Sequence, residues 1–411
     1  MDFGFVSTKE LEEFREEVRT FIEEHAEKTS VVPPDPNKRD LEMWNKGREN
    51  EKLLGAKGWF APGYPKEYGG GGLDIDRCVI LAEEFDKVRE ERRWWGYTEV
   101  STIMTGGIVS QGTEEQKKKY LTKQLTSEWY GFQCFTEPEA GTDEASMKAT
   151  AIRDGDVYVV NGTKVFVGHI PPPGRPDFLY WLAVTNPDGP RHQNISAFFI
   201  PGDLPGIRYA HLDLIAAEGH KWEVICENVR CPADRLIGVE NKGWLVGQAT
   251  LDAEHGGGGA VVPRNKLILH LIDYCKTAKR NGKLVREDPR YRDLLVQLYI
   301  EYQVGRLWGF RNFAMAQGNI PRVRYTGTQT ALHGKLLSPK VGKVIMEILG
   351  AHCLIDNPDL RALEGEIELA IRLADVTHIA GTPETQKIQM SRALGLGRSA
   401  IQAMQASQAS R

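Results

Sequence analysis

The spacing of apolar residues along this chain changes twice. From Ser7 to about Glu128 they recur every three or four positions. Leu11, Phe14, Val18, Phe21 and Ile22 form one such stripe, the buried face of an amphipathic helix. Ser7, three residues before Glu10, predicts a capping box at its start. A loop rich in proline and charge at 31–40 interrupts the pattern, and glycines 69–72 interrupt it again before a helix around 80–85. From about Trp129 to Pro232 strands dominate. The runs 157–160, 178–184 and 197–200 read as strands, with Asp154-Gly155-Asp156 and Asn161-Gly162 as the turns between them. From Gly243 onward the helical spacing returns, with helices expected at 291–313, 363–379 and 382–404. The expected class is α+β, with a helical domain at 1–128, a sheet domain at 129–235 and a second helical domain at 236–411.

Composition narrows this by exclusion. A chain of 411 residues has room for two or three domains with real cores. The formal net charge of -4 supplies no basic field for nucleic acid or an anionic membrane. No apolar run approaches the roughly eighteen residues of a membrane span. The acidic, helical N-terminus reads as neither a signal nor a transit peptide. Six scattered cysteines with no paired spacing read as reduced thiols of a cytoplasmic protein, and no metal site is expected.

Candidate chemistry concentrates in the middle zone. Tyr130 to Asp143 reads Tyr-Gly-Phe-Gln-Cys-Phe-Thr-Glu-Pro-Glu-Ala-Gly-Thr-Asp, and Asn161-Gly162-Thr163-Lys164-Val165-Phe166 follows. Such a turn offers hydroxyls and backbone N–H groups, and Gly141 permits close approach of a ligand. The two strings resemble the flavin-binding signature of acyl-CoA dehydrogenases. Further strings run in the family's order over nearly all of the chain. These include Gly58-Trp59-Phe60-Ala61-Pro62, Gly112-Thr113-Glu114-Glu115-Gln116-Lys117, Asn241-Lys242-Gly243-Trp244 and Gly381-Thr382-Pro383-Glu384-Thr385-Gln386. The resemblance implies an N-terminal helical domain, a middle β-barrel-like sheet domain and a C-terminal four-helix bundle. It also implies FAD as cofactor, an acyl-CoA substrate and an electron-transfer flavoprotein or similar acceptor. The implied assembly is a homodimer or homotetramer, or a heteromer with a related chain.

The implied reaction is α,β-dehydrogenation of a thioester, in which a carboxylate removes the α proton. Family members place that carboxylate at one of two positions. One precedes a Gly-Thr pair near the C-terminus, where this chain has Ala380, which cannot take a proton. The other lies in the string Leu251-Asp252-Ala253-Glu254-His255, which makes Glu254 the candidate base. A solvated helical glutamate is the alternative. His255 stands where the family often has Arg, and either tunes Glu254, contacts the carrier or caps the helix. Gly256-Gly257-Gly258-Gly259 follows directly. Each glycine costs a helix about 1 kcal/mol relative to alanine, so the run is either a hinge or a helix face kept bare. The resemblance implies that this segment lines the acyl pocket, widened here for a branched, cyclic or otherwise bulky acyl group.

By the same resemblance, Gln133, Phe135 and Thr136 go to the flavin edge, and Gly141 and Thr142 to the phosphate turn. Phe166 and Gly168 go to the second strand, where the family usually has Trp and often has Thr or Ser. Arg280, Glu347, Gly350, Thr382 and Glu384 hold the C-terminal contact positions. Two of these depart from the family pattern: the cation at Arg280 is shifted, and Glu347 replaces a Gln. Thr142, Leu251, Asp252, His255, Gly258 and Ala380 are the implied substrate contacts. Three functions remain open on sequence: a dehydrogenase, a half-site or non-catalytic subunit of a heteromer, and a flavin oxidase on the same fold.

Overall fold

The computed structural model describes residues 8–26, 40–90, 104–168, 170–215, 221–252, 267–318, 323, 325–355, 362–377 and 381–396. The chain divides into two compact units, Val6–Glu254 and a second made chiefly of His255–Arg411.

The first unit opens with helices α1 (Lys9–His25), α2 (Leu41–Ala56), α3 (Ile75–Glu90), α4 (Thr105–Gln111), α5 (Glu114–Gln116) and α6 (Thr122–Leu125). The predicted apolar stripe is the buried face of α1, with Leu11, Val18, Phe21 and Ile22 all buried. Its cap is Thr8, whose side chain accepts from the Leu11 N–H at 3.3 Å. That is one residue after Ser7, which lies outside the described residues, as does most of the 31–40 loop.

An ion cluster ties α1 to α3. Arg15 donates to Glu83 (2.9 Å) and Glu84 (2.5 Å), while Arg19 and Lys87 also reach the buried Glu84 carboxylate. Burial pushes the Glu84 carboxyl up, but hydrogen bonds from Lys87, Arg19 and Arg15 outweigh it and hold it at about 2. The unfolded chain therefore takes up this proton before the folded one does. The contribution of Glu84 to stability is complete above the ordinary glutamate value of about 4.3 and is lost as pH falls toward 2. Urea midpoints should show a stability gap between wild type and Glu84→Gln at neutral pH that narrows as the pH drops through this window. A gap that does not change with pH would remove the cluster from the acid response.

The sheet follows, with strands β1 (Gly131–Cys134), β2 (Thr150–Asp154), β3 (Val157–Val167), β4 (Phe178–Val184), β5 (Ile195–Pro201), β6 (Ile207–Leu212), β7 (Lys221–Pro232) and β8 (Leu236–Ile237). The strand order is β6-β7-β3-β2-β4-β5-β8, with β1 pairing parallel to β4. The barrel-like expectation is corrected. The sheet is open, because β6 and β8 end the order without pairing to each other among the described residues.

Strand β4 lies between two cores. Leu179, Trp181 and Ala183 face a cluster with Phe132, Tyr158 and Phe198, while Phe178, Tyr180 and Leu182 face one with Phe135, Tyr120 and Phe199. Its unbroken apolar run is what a strand buried on both faces requires.

Gly155 does turn the chain between β2 and β3, which pair in register from Asp154 and Val157. Asn161-Gly162 does not form a turn. It lies inside β3 as a bulge against β7, where the register shifts between Val160 and Gly162. Gly162 has a φ of 147°, and a Cβ there would collide with Ala149. The Asn161 side chain accepts from the Asn228 N–H at 2.8 Å. Helix α7 (Gly243–Asp252) then closes the unit.

The second unit contains α8 (Leu267–Thr277), a hairpin of β9 (Lys279–Arg280) and β10 (Lys283–Leu284), α9 (Pro289–Ala316), α10 (Thr326–Leu349), α11 (Glu366–Ala374) and α12 (Pro383–Ala393). Helix α9 starts at Asp288, whose carboxylate caps the Arg290 N–H at 2.9 Å, and Pro289 occupies the first turn. Helices α9, α11 and α12 all pack on α10, and the core includes Leu271, Leu298, Val341, Ile345 and Ile367. Two expected helices are shorter than their apolar pattern suggests. The one expected at 363–379 spans Glu366–Ala374. The one expected at 382–404 ends at Ala393, where Gly395 takes a φ of 77° and the Leu396 N–H returns to the Ser391 carbonyl at 2.8 Å. No helix among the described residues is long and apolar enough to cross a membrane.

Candidate functional site

The signature turn is held by a buried ion pair. Lys164 is fully buried on β3 and donates to the Glu137 carboxylate at 2.8 Å and to the Phe135 carbonyl at 2.9 Å. Glu137 also accepts from the backbone N–H groups of Lys148 (2.5 Å) and Ala149 (3.0 Å). Burial drives the Lys164 ammonium below its ordinary range, and the Glu137 charge opposes that shift. Three bonds thus fix one carboxylate, and a fourth from Lys164 to the Phe135 carbonyl ties down the chain from Phe135 to Ala149. The Val165 N–H adds a bond to the Thr136 carbonyl at 2.9 Å, joining the two strings that stand apart in sequence.

Around this fixed turn the predicted groups share one region. Gln133 and Thr136 are half-buried and Phe135 is buried. Gly141 and Thr142 are exposed, and a Cβ built on Gly141 meets nothing within 4 Å, so the backbone there is open to a ligand. Asp143 is pinned by Arg191 and by the Ser146 hydroxyl at 2.5 Å.

Phe166 is an apolar ring left 56% exposed, and its φ of 60° is a conformation that a bulky residue adopts only under constraint. Gly168 follows with a φ of 74°, and a Cβ there would strike the Phe132 ring. A side chain at this position would meet that ring and a left-handed backbone. An open glycine turn, half-buried polar side chains and an exposed ring suit a flat aromatic cofactor with a phosphate tail. On this ground the residues fit FAD.

Helix α7 carries Leu251, which packs on the cluster containing Phe135 and Tyr180. The Thr250 hydroxyl donates to the Val246 carbonyl at 3.1 Å, so its oxygen is left to accept from Tyr180 at 2.8 Å. Burial pushes the Tyr180 phenol well above its ordinary range, which keeps it a neutral donor. A Cβ on Gly107 of α4 would collide with Tyr180, Thr250 and Val246, so α4 approaches α7 and β4 closely there.

In the second unit, Arg280, Glu347 and Gly350 meet at the end of α10. Arg280 donates to the carbonyls of Glu347 (3.0 Å) and Ile348 (3.1 Å) and to the Tyr291 hydroxyl. It thereby caps the negative end of the helix. Glu347 is neutralised by Arg290 at 3.1 Å. Gly350 turns the chain with a φ of 60°. Thr382 caps α12 through the Thr385 N–H at 3.2 Å, and Glu384 is exposed in its first turn.

Glu254, His255, glycines 256–259 and Ala380 lie outside the described residues, as does the side chain of Asp252. Glu137 and Lys164 both fall within the signature strings, where the resemblance assigns neither a role. One signal was available: Lys164 falls on the inward side of a strand whose other inward residues, Tyr158 and Val160, are core. A lysine there needs a buried partner.

Comparison with known proteins agrees with this geometry. The N-terminal, middle and C-terminal domain models of acyl-CoA dehydrogenase match residues 8–128, 133–229 and 241–395. The acyl-CoA dehydrogenase IpdE1 of Mycobacterium tuberculosis is 28% identical over 412 residues, covering 95% of this chain and 99% of its own length. The short-chain specific acyl-CoA dehydrogenase of Clostridium acetobutylicum is 27% identical, covering 95% of this chain and 99% of its own. Among solved structures, the Tcur3481-Tcur3483 steroid ACAD superposes with a TM-score of 0.77 at 29% identity, covering 96% of this chain and 99% of that one. The chain belongs to the acyl-CoA dehydrogenase family of FAD-dependent oxidoreductases acting on acyl-CoA.

Proposed function

We propose that this protein dehydrogenates a bulky acyl-CoA thioester between its α and β carbons, with Glu254 as the base. The observation that supports the reading best is the clamped, open turn from Thr136 to Asp143 beside the exposed Phe166 ring. Gln133, Phe135 and Thr136 would hold the flavin edge, Gly141 and Thr142 its phosphates or the acyl carrier, and Phe166 its face. FAD, when bound, supplies the acceptor for the β hydride. Glu254 would take the α proton at its carboxylate. Arg290 offsets the charge of Glu347, removing the repulsion that a lone carboxylate would direct at a cofactor phosphate.

The preference for bulk rests on the glycines at 256–259 and on the similarity to a protein described as a steroid ACAD. That relative carries a paired name, which supports assembly with a related chain as well as with copies of itself. The six unpaired cysteines support a cytoplasmic setting.

The test is anaerobic bleaching of the bound flavin by a panel of acyl-CoA thioesters, using the chain purified alone and with a related chain. Bleaching by the chain alone excludes the half-site reading. If the glycine face lines the acyl site, Gly257→Leu or Gly258→Leu should lower the kcat/KM ratio of a ring-bearing thioester to butyryl-CoA. Overfilling a packed wall costs about 1–3 kcal/mol, roughly five- to 150-fold in that ratio. An unchanged ratio in both variants would make the glycines a hinge.

A further inference from the structure

The strand at the flavin edge and the helix leading to the candidate base are joined through one side chain. Tyr180 lies on β4, alongside β1, and its ring meets that of Phe135 edge-on with centroids 5.1 Å apart. Its hydroxyl leaves the sheet and binds Thr250 on α7 at 2.8 Å. Both residues are fully buried, and Val246, one turn earlier on α7, is buried with them. The absence of a side chain at Gly107 is what lets the hydroxyls meet.

Apolar side chains packed between helix and sheet restrict rotation and axial position by shape alone, because dispersion is not directional. A buried hydrogen bond adds a directional constraint, since sliding the helix would strand the buried Tyr180 hydroxyl while Thr250 kept only its bond to Val246. Thr250 precedes Glu254 by four residues, and α7 is described as far as Asp252.

We propose that Tyr180 and Thr250 are positioning residues for α-proton abstraction, setting the place of the base-bearing segment against β4 and the neighbouring Phe135. The proposal rests on Glu254 as the base. It predicts that losing the bond misplaces the carboxylate without emptying the flavin site, because none of the Lys164–Glu137 contacts involves α7.

The experiment compares Thr250→Val, Thr250→Ser, Tyr180→Phe and the Thr250→Val/Tyr180→Phe double variant, with Glu254→Gln alongside. Thr250→Val and Tyr180→Phe should each retain wild-type FAD per chain. Each should slow flavin reduction by about 10- to 100-fold, the scale of a displaced reacting group, and move the pH midpoint of that rate. Thr250→Ser keeps the oxygen and should recover most of the rate. The double variant should be no slower than either single one, since both remove the same bond. In the apoprotein, amide exchange along residues 243–252 should quicken in Thr250→Val and not in Thr250→Ser. Faster exchange with an unmoved rate and pH midpoint would leave the bond a structural one and overturn the proposal. If Glu254→Gln reduces flavin normally, the base assignment fails instead. If Glu254→Gln is inactive while Thr250→Val matches wild type, only the positioning role fails.

Discussion

Glu254→Gln should leave a yellow, folded protein whose flavin is reduced by substrate at least about 10³-fold more slowly. That is the combined scale of general-base catalysis and positioning. Glutamine keeps the volume and one carbonyl oxygen but cannot accept the proton. Ala380, at the alternative family position, offers no substitute. Anaerobic stopped-flow measurement of flavin absorbance isolates this step from reoxidation and product release. Reduction near the wild-type rate would show that another group takes the proton.

Lys164→Met should be the most damaging change to the protein itself. Methionine fills the lysine's space but leaves the Glu137 carboxylate buried with only the Lys148 and Ala149 N–H groups to satisfy it. Removing one partner of a buried ion pair costs about 3–5 kcal/mol. Here the loss falls on the segment from Phe135 to Ala149, so FAD retention should fall with stability. Denaturant midpoints and the flavin-to-protein absorbance ratio after gel filtration read the two effects. Stability within about 1 kcal/mol of wild type, with FAD fully retained, would mean that the turn is held by other contacts. Adding Glu137→Gln to Lys164→Met should recover part of the loss, because the stranded charge is then gone while the backbone N–H groups keep an acceptor.

The sequence was most readable where one force acts alone. The α1 stripe and the β4 run depend on burial of apolar surface, and both appear where their periodicity puts them. It was less readable where local chemistry has two outcomes. Asn161-Gly162 suits a hairpin turn, yet Gly162 instead relieves a collision with Ala149, a residue whose proximity only the folded sheet reveals. The helix expected to reach residue 404 stops at Ala393 because Gly395 supplies a left-handed stop that a purely apolar pattern ignores. Ser7 and Thr8 are equivalent capping chemistries one position apart, and only geometry chose between them. In the site, the signature string located the turn, but the Tyr180–Thr250 bond joins residues 70 positions apart and left no local mark.

The Phe132 ring beneath Gly168 also governs how this site can change. A hydroxyl at position 168, the family's commoner choice, is sterically blocked while that ring stays. The two positions are therefore locked together: a saturation scan at 168 alone would score every substitution as harmful and mark the residue as chemically indispensable. The obstacle is partly volume, 36 residues upstream, and partly the left-handed backbone at Gly168, whose φ of 74° strains any L side chain. A library that first trims Phe132 removes the clash alone, and the substitutions it then admits at 168 are those that tolerate a left-handed backbone, asparagine and aspartate before the rest.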